Sequence, residues 1–120
     1  MNERVLFFDY IEDEALVNLY NGAMAFLYMS HYEGFGLPIL EAMQCGVPVI
    51  CSNTSSMPEV AGEAAILVDP LDGVSFGKAL GEVYSNNNKL IQMKKDGLQQ
   101  ARKFSWAKYA TEVVKAYEEM

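Results

Sequence analysis

Two glutamates flank a glycine-rich turn in the stretch EGFGLPILE, where Glu33 stands at the start and Glu41 at the end. Gly34 and Gly36 would let the backbone approach a ligand closely, and Pro38 suits the first turn of a helix. The leading end of such a helix offers unpaired N–H groups that bind anions. A carboxylate about one turn further on can accept hydrogen bonds from two adjacent hydroxyls. The spacing is therefore compatible with a site for a phosphorylated sugar or a nucleotide.

A structural role explains these residues equally well. The two glycines could form a tight turn with solvated glutamates beside it, since a Gly-x-Gly pair alone is a weak signal. His31 is the only histidine. It could act as a general base, although a lone histidine is more often an ordinary loop residue. The hydroxyl-rich run 52–56 could contact a nucleotide base or form a plain turn.

Predicted strands and helices alternate along the chain, which indicates an α/β fold with a doubly wound parallel sheet. The predicted strands are Val5–Phe8, Met24–Met29, Val47–Cys51 and Ala65–Val68. The first predicted helix opens at 12–14 and stops at Gly22, the second runs from Pro38 to Gly46, and a short helical turn follows at Pro58–Val60. Three C-terminal helices come next. The first is capped near Asp72 or Ser75, the second carries Leu90 and Met93, and the third is capped at Ser105. The run Met24–Met29 lacks alternation and is expected to be covered on both faces. Because ligands bind beyond the carboxyl ends of parallel strands, the turn 30–37 is well placed for a site.

Composition narrows the class of partner. The 120 residues are 51% hydrophobic, which fits a single folded domain over 1–120, and the formal charge is −7. An acidic chain is a poor match for nucleic acid or an anionic membrane surface. No apolar run is long enough to span a bilayer. Cys45 and Cys51 are expected to be small, buried apolar residues in a reducing cytoplasm, with a redox pair as the alternative.

The stretch SHYEGFGLPILEAMQCGVPVICSN resembles the donor-binding motif of the retaining glycosyltransferases of family 4, which have the GT-B fold. That motif is a Glu, seven residues and a second Glu with Gly-Phe-Gly-Leu-Pro between them, and residues 33–41 match it throughout. The flanking stretches FFDYIEDEALVNLYNGAMAFLYMS and PEVAGEAAILVDPLD are similar to the family as well. The resemblance implies a single partial Rossmann-like domain for a nucleotide sugar. It would be a truncated C-terminal half of the GT-B fold, with helices at its own C-terminus.

The resemblance also implies roles for individual residues. Glu33 would be the catalytic residue against the transferred sugar, and Glu41 would hold the ribose hydroxyls. The backbone amides of four consecutive residues would contact the sugar and phosphates of the donor: Gly34, Phe35, Gly36 and Leu37. The family needs no metal for this reaction, so no metal or other cofactor is expected.

The same resemblance implies a larger enzyme that serves polysaccharide biosynthesis. Its expected location is the cytoplasm, either free or peripheral to the inner face of the membrane. The N-terminal acceptor domain is missing, and so are the Arg and Lys that neutralise the leaving diphosphate. The chain alone is therefore expected to be inactive, a fragment of a transferase. An exposed sheet edge, along Val5–Phe8 or another outer strand, is expected to allow self-association. Two alternatives remain: a non-catalytic interaction module that kept the fold, and a glycosidase that uses Glu33 and Glu41 as its carboxylate pair.

Overall fold

The computed structural model describes residues 5–30, 36–104 and 113–119. Within these ranges, strands and helices alternate up to β3, and two longer helices follow. The elements are α1 (Asp13–Gly22), β1 (Phe26–Tyr28), α2 (Leu37–Gln44), β2 (Val49–Ser52), α3 (Met57–Ala61), β3 (Ile66–Val68), α4 (Gly73–Ser85) and α5 (Asn87–Arg102). Residues 113–118 are also helical.

The three strands form one parallel sheet in the order β1-β2-β3. The central strand β2 is buried along its whole length, and Cys51 pairs with Tyr28 on one side and Leu67 on the other. Parallel neighbours must be joined by crossovers, and α2 and α3 supply them. The expected α/β fold with a helix-covered parallel sheet is confirmed.

Alternate residues of the strands feed two separate cores. Val49 and Cys51 of β2 belong to the core beneath α1, α2 and α3, in which Ile39 and Met43 are fully buried. Ile50 points the other way, into a second core that includes residues of α4. This period of two follows from the pleat of a strand and places helices on both faces of the sheet.

Helix α5 contacts the helices of both faces. It begins with Leu90 and Met93 in the α4 core and ends against α2 and α3. Gly97 lies so close to α2 that an added Cβ would stand 3.3 Å from Cγ of Met43. Gln100 is buried, and its Nε2 donates to the Val60 carbonyl at 2.8 Å. Gly97, which has no side chain, therefore allows α5 to pack closely on α2.

The strand predicted at Val5–Phe8 is wrong. These residues have no strand assignment, and Leu6 and Phe7 are 73% and 75% exposed. The described sheet pairs β1 with β2 and β2 with β3, and none of these strands pairs with Val5–Phe8. A strand needs a neighbouring backbone for its hydrogen bonds, so the apolar residues alone do not make this segment a strand. The free edges of the described sheet are instead those of β1 and β3.

Two smaller expectations also need correction. β1 is shorter than the predicted run and is not covered on both faces, since Leu27 is 40% exposed. The helical spacing of Phe76, Leu80 and Val83 predicts one apolar face for α4, but Ala79 and Val83 are buried while Leu80 is 38% exposed. The predicted cap at Ser105 lies outside the described residues. Further along, Val113 and Tyr117 are exposed.

Candidate functional site

The leading end of α2 is built around Gly36. This residue caps the helix in the left-handed region, with φ at 81° and ψ at 38°, and Pro38 follows in the first turn. Glycine adopts this conformation without the Cβ penalty that other residues carry. The first N–H groups of a helix lack partners within it, so the Leu37 amide is available to an anion.

Two loops meet at the carboxyl edge of the sheet beside this helix. The Thr54 hydroxyl, in the loop after β2, donates to the Ser30 carbonyl after β1 at 3.4 Å. Ser52 ends β2 and is fully buried, and its Oγ has no hydrogen-bond partner in the described part of the chain. Of the run 52–56 expected to be a loop, residue 52 thus belongs to the strand and the others form the turn.

Glu41 lies on the exposed side of α2, about one turn after the helix begins. The Tyr20 hydroxyl at the end of α1 donates to Oε2 of Glu41 at 3.5 Å. The Tyr20 ring is buried and meets Phe26 of β1 edge to face, with centroids 5.3 Å apart. Burial, and then the negative charge of Glu41, raise the pKa of Tyr20 to about 12. The phenol is therefore a neutral donor at physiological pH.

The structure brings three of the predicted site residues together on one short helix: Gly36, Leu37 and Glu41. Glu33, Gly34, Phe35 and the neighbouring His31 lie outside the described residues, and their predicted roles stay predictions. Tyr20 was missed, because its sequence position fits the apolar stripe of α1. Only the fold brings it to Glu41, 21 residues away.

The site offers backbone donors and carboxylate acceptors without a basic side chain. The sequence contains no Lys or Arg between Arg4 and Lys78, a stretch that includes every described strand and α1 to α3. Across residues 5–30, 36–104 and 113–119, no three His, Cys, Asp or Glu side chains gather as metal ligands would. Within the same ranges, no helix has the length and apolar character needed to cross a bilayer.

Two shallow cavities lie elsewhere on the molecule. One is lined by residues of α2 and α5, among them Gln44 and Leu98, and the other by residues that include Phe8 and Leu19 of the N-terminal segment and α1. Neither is lined by Gly36 or Glu41.

A family model described as glycosyl transferases group 1 matches residues 1–100. The chain belongs to this family. Relatives of the chain include the O-antigen chain mannosyltransferase B of Escherichia coli, 43% identical over 113 residues and 94% of the chain. The D-inositol 3-phosphate glycosyltransferase of Corynebacterium efficiens is 32% identical over 121 residues and 99% of the chain.

A solved structure supports the fold of this chain. Sucrose-phosphate synthase from Thermosynechococcus elongatus superposes on 98% of the chain with a TM-score of 0.83 and 29% sequence identity. The agreement confirms the Rossmann-like half of a GT-B fold that the sequence predicted. The chain spans 30% of the synthase, 30% of the O-antigen relative and 28% of the inositol phosphate relative.

Proposed function

We propose that this chain is the donor-binding part of a retaining glycosyltransferase and holds a nucleotide sugar at the leading end of α2. One observation supports this most directly. A left-handed Gly36 opens α2 beside the carboxyl edge of a parallel sheet, and Glu41 stands exposed one turn further along the same helix. Carboxyl edges of such sheets are where ligands bind in open α/β folds.

The chemistry of the donor matches these groups. Backbone amides at a helix start bind phosphate without any cationic side chain, and the amides of Gly34 to Leu37 fill that role in the proposal. The Glu41 carboxylate accepts hydrogen bonds from the two ribose hydroxyls. Glu33 lies against the transferred sugar as the catalytic residue. This scheme needs no metal, because the backbone amides and basic side chains from another part of the larger enzyme share the phosphate charge.

The relatives point to a donor sugar to test first. The O-antigen relative at 43% identity is a mannosyltransferase, and so is a serotype-specific protein of Escherichia coli that is 36% identical over 107 residues. We therefore propose mannosyl transfer in polysaccharide biosynthesis. The free thiols Cys45 and Cys51 agree with a reducing cytoplasm as the place of that reaction.

Catalysis requires a partner domain in this proposal. A leaving diphosphate gathers negative charge, and the described elements from α1 to β3 carry no Lys or Arg to balance it. Electrostatic stabilisation of that charge is commonly the largest contribution to catalysis, so a missing cation costs orders of magnitude in rate. The first part of the C-terminal domain of the larger enzyme would supply the basic groups, and an acceptor domain that faces this edge would supply the acceptor site.

Calorimetric titration with GDP-mannose, GDP, UDP-glucose and UDP tests the proposal. We expect saturable binding of one nucleotide series, with the sugar nucleotide and its nucleoside diphosphate competing for a single site. Absence of binding by every member of the panel, from a chain that is folded by circular dichroism, would contradict it.

A further inference from the structure

The contact between Tyr20 and Glu41 joins the core to the exposed face of α2. Tyr20 is the only residue of α1 that is fully withdrawn from solvent, at 6% exposure. Its ring packs edge to face on Phe26, and the Phe26 ring stacks on Tyr28 at 5.7 Å. These contacts fix the ring, so the phenol oxygen is held in one place. From that place it reaches Oε2 of Glu41 at 3.5 Å.

A neutral donor suits this position better than a cation. Among the described residues no other donor reaches the Glu41 carboxylate, and a carboxylate has room for about four hydrogen bonds. Tyr20 occupies one acceptor position and leaves the charge of Glu41 uncompensated. An arginine would take two positions and neutralise the group. The arrangement therefore orients a carboxylate while keeping its remaining acceptor capacity for a ligand.

We propose that Tyr20 is a positioning residue: its hydroxyl orients the Glu41 carboxylate so that the remaining oxygen accepts hydrogen bonds from adjacent ribose hydroxyls. The inference rests on the proposed function, because it assigns the ligand of Glu41 to the ribose of the donor. The distance of 3.5 Å is long for a hydrogen bond between oxygens. Contacts of this kind often shorten when the ligand is bound.

Preference for ribose is the property that tests this role. The ligands are GDP and 2′,3′-dideoxy-GDP, with the matching uridine pair if the uridine series binds. The measured quantity is the dissociation constant for 2′,3′-dideoxy-GDP divided by that for GDP, determined by calorimetry in the full chain. If the role of Tyr20 were purely structural, its substitution would weaken the binding of both ligands equally and leave the ratio unchanged.

Tyr20→Phe keeps the buried ring and removes only the hydroxyl. We expect this ratio to fall about three- to tenfold, which corresponds to the net free energy of one ordinary hydrogen bond. Glu41→Gln should abolish most of the ribose preference. The double variant should match Glu41→Gln alone, because Tyr20 acts through that carboxylate. Tyr84→Phe, an exposed tyrosine on α4, is the matched control and should keep the wild-type ratio.

The outcomes separate this inference from the proposed function. If Glu41→Gln loses the ribose preference while Tyr20→Phe keeps it, the positioning role is overturned and the proposed function stands. If Tyr20→Phe weakens both ligands equally, the role is structural and the inference again fails. If the wild type shows no ribose preference, the ligand assigned to Glu41 is wrong, and both fall. Should Tyr20→Phe fold poorly, Tyr20→3-fluorotyrosine, which makes the phenol a stronger acid and donor, should retain or raise the ratio. A fall would contradict the role.

Discussion

Replacing Gly36 by alanine tests whether the leading end of α2 has the backbone conformation seen here. At φ 81° an alanine carries the left-handed penalty of about 1–2 kcal/mol. The new Cβ would lie 3.4 Å from Cδ1 of Ile39 and 3.9 Å from Cγ2 of Val60, which are ordinary contacts that add little. Strain in the backbone should therefore dominate the effect.

Gly77→Ala is the matched control. It lies inside α4, and nothing stands within 4 Å of the position that its Cβ would take. Both substitutions restrict the unfolded chain by the same amount, so that contribution cancels in the comparison. Gly77→Ala should stabilise the protein by about 0.5–1 kcal/mol. Gly36→Ala should be at least about 1–2 kcal/mol less stable than Gly77→Ala.

Urea unfolding followed by circular dichroism measures the gap. With a slope of about 2 kcal/mol per molar, in the middle of the range for small domains, the two midpoints should differ by roughly 0.5–1 M. Gly46→Ala separates strain from contact, because Gly46 has φ 73° and open space around its Cβ position. It should fall near Gly36→Ala. A Gly36→Ala protein as stable as Gly77→Ala would refute the left-handed start of α2.

Two further predictions concern the cap of α4 and the sheet edge. Asp72 accepts from the Val74 and Ser75 amides at 3.1 Å, and hydrogen bonds from Ser75, first among several causes, lower its pKa below the usual 3.8. The charged form is favoured in the folded state, so this stabilisation is present above pH 3.8 and is lost as the pH falls through the lowered pKa. The difference in unfolding free energy between wild type and Asp72→Ala should therefore shrink in acid. Asp72→Asn, which can also cap the helix, should stay close to wild type at neutral pH. A difference between wild type and Asp72→Ala that does not change with pH would contradict this. The free edge of β1 in the described sheet predicts reversible self-association, which sedimentation runs at rising concentration would detect. Leu27→Lys, on the exposed face of β1, should reduce this association. A protein that stays monomeric at all concentrations would contradict the prediction.

Local signals predicted the elements near the site well. Pro38 and Gly46 mark the two ends of α2, and Gly22 ends α1, as propensity and capping rules expect. The buried run that became β2 was recognisable from its apolar residues alone. These features depend on neighbours in the sequence, which explains why they could be read from it.

Features that depend on distant partners could not be predicted in the same way. Val5–Phe8 has the composition of a strand, but a strand also needs an adjacent backbone, and none of the described strands pairs with it. The exposure of Leu27 depends on which elements pack on that face of the sheet, and the residue types of β1 do not specify them. The contact of Tyr20 with Glu41 joins two helices through the packing of α1 on the sheet, and no spacing rule connects them.

The affinity of Glu41→Gln for the nucleotide sugar tests the central claim most directly. Two hydrogen bonds from ribose to a charged acceptor should be weakened, which corresponds to about a 10- to 100-fold rise in the dissociation constant. Glu63→Gln provides the control, since Glu63 is an exposed carboxylate beyond α3 and outside the proposed site. We expect a large loss of affinity for Glu41→Gln and wild-type affinity for Glu63→Gln. Equal affinity in wild type and both variants would contradict it.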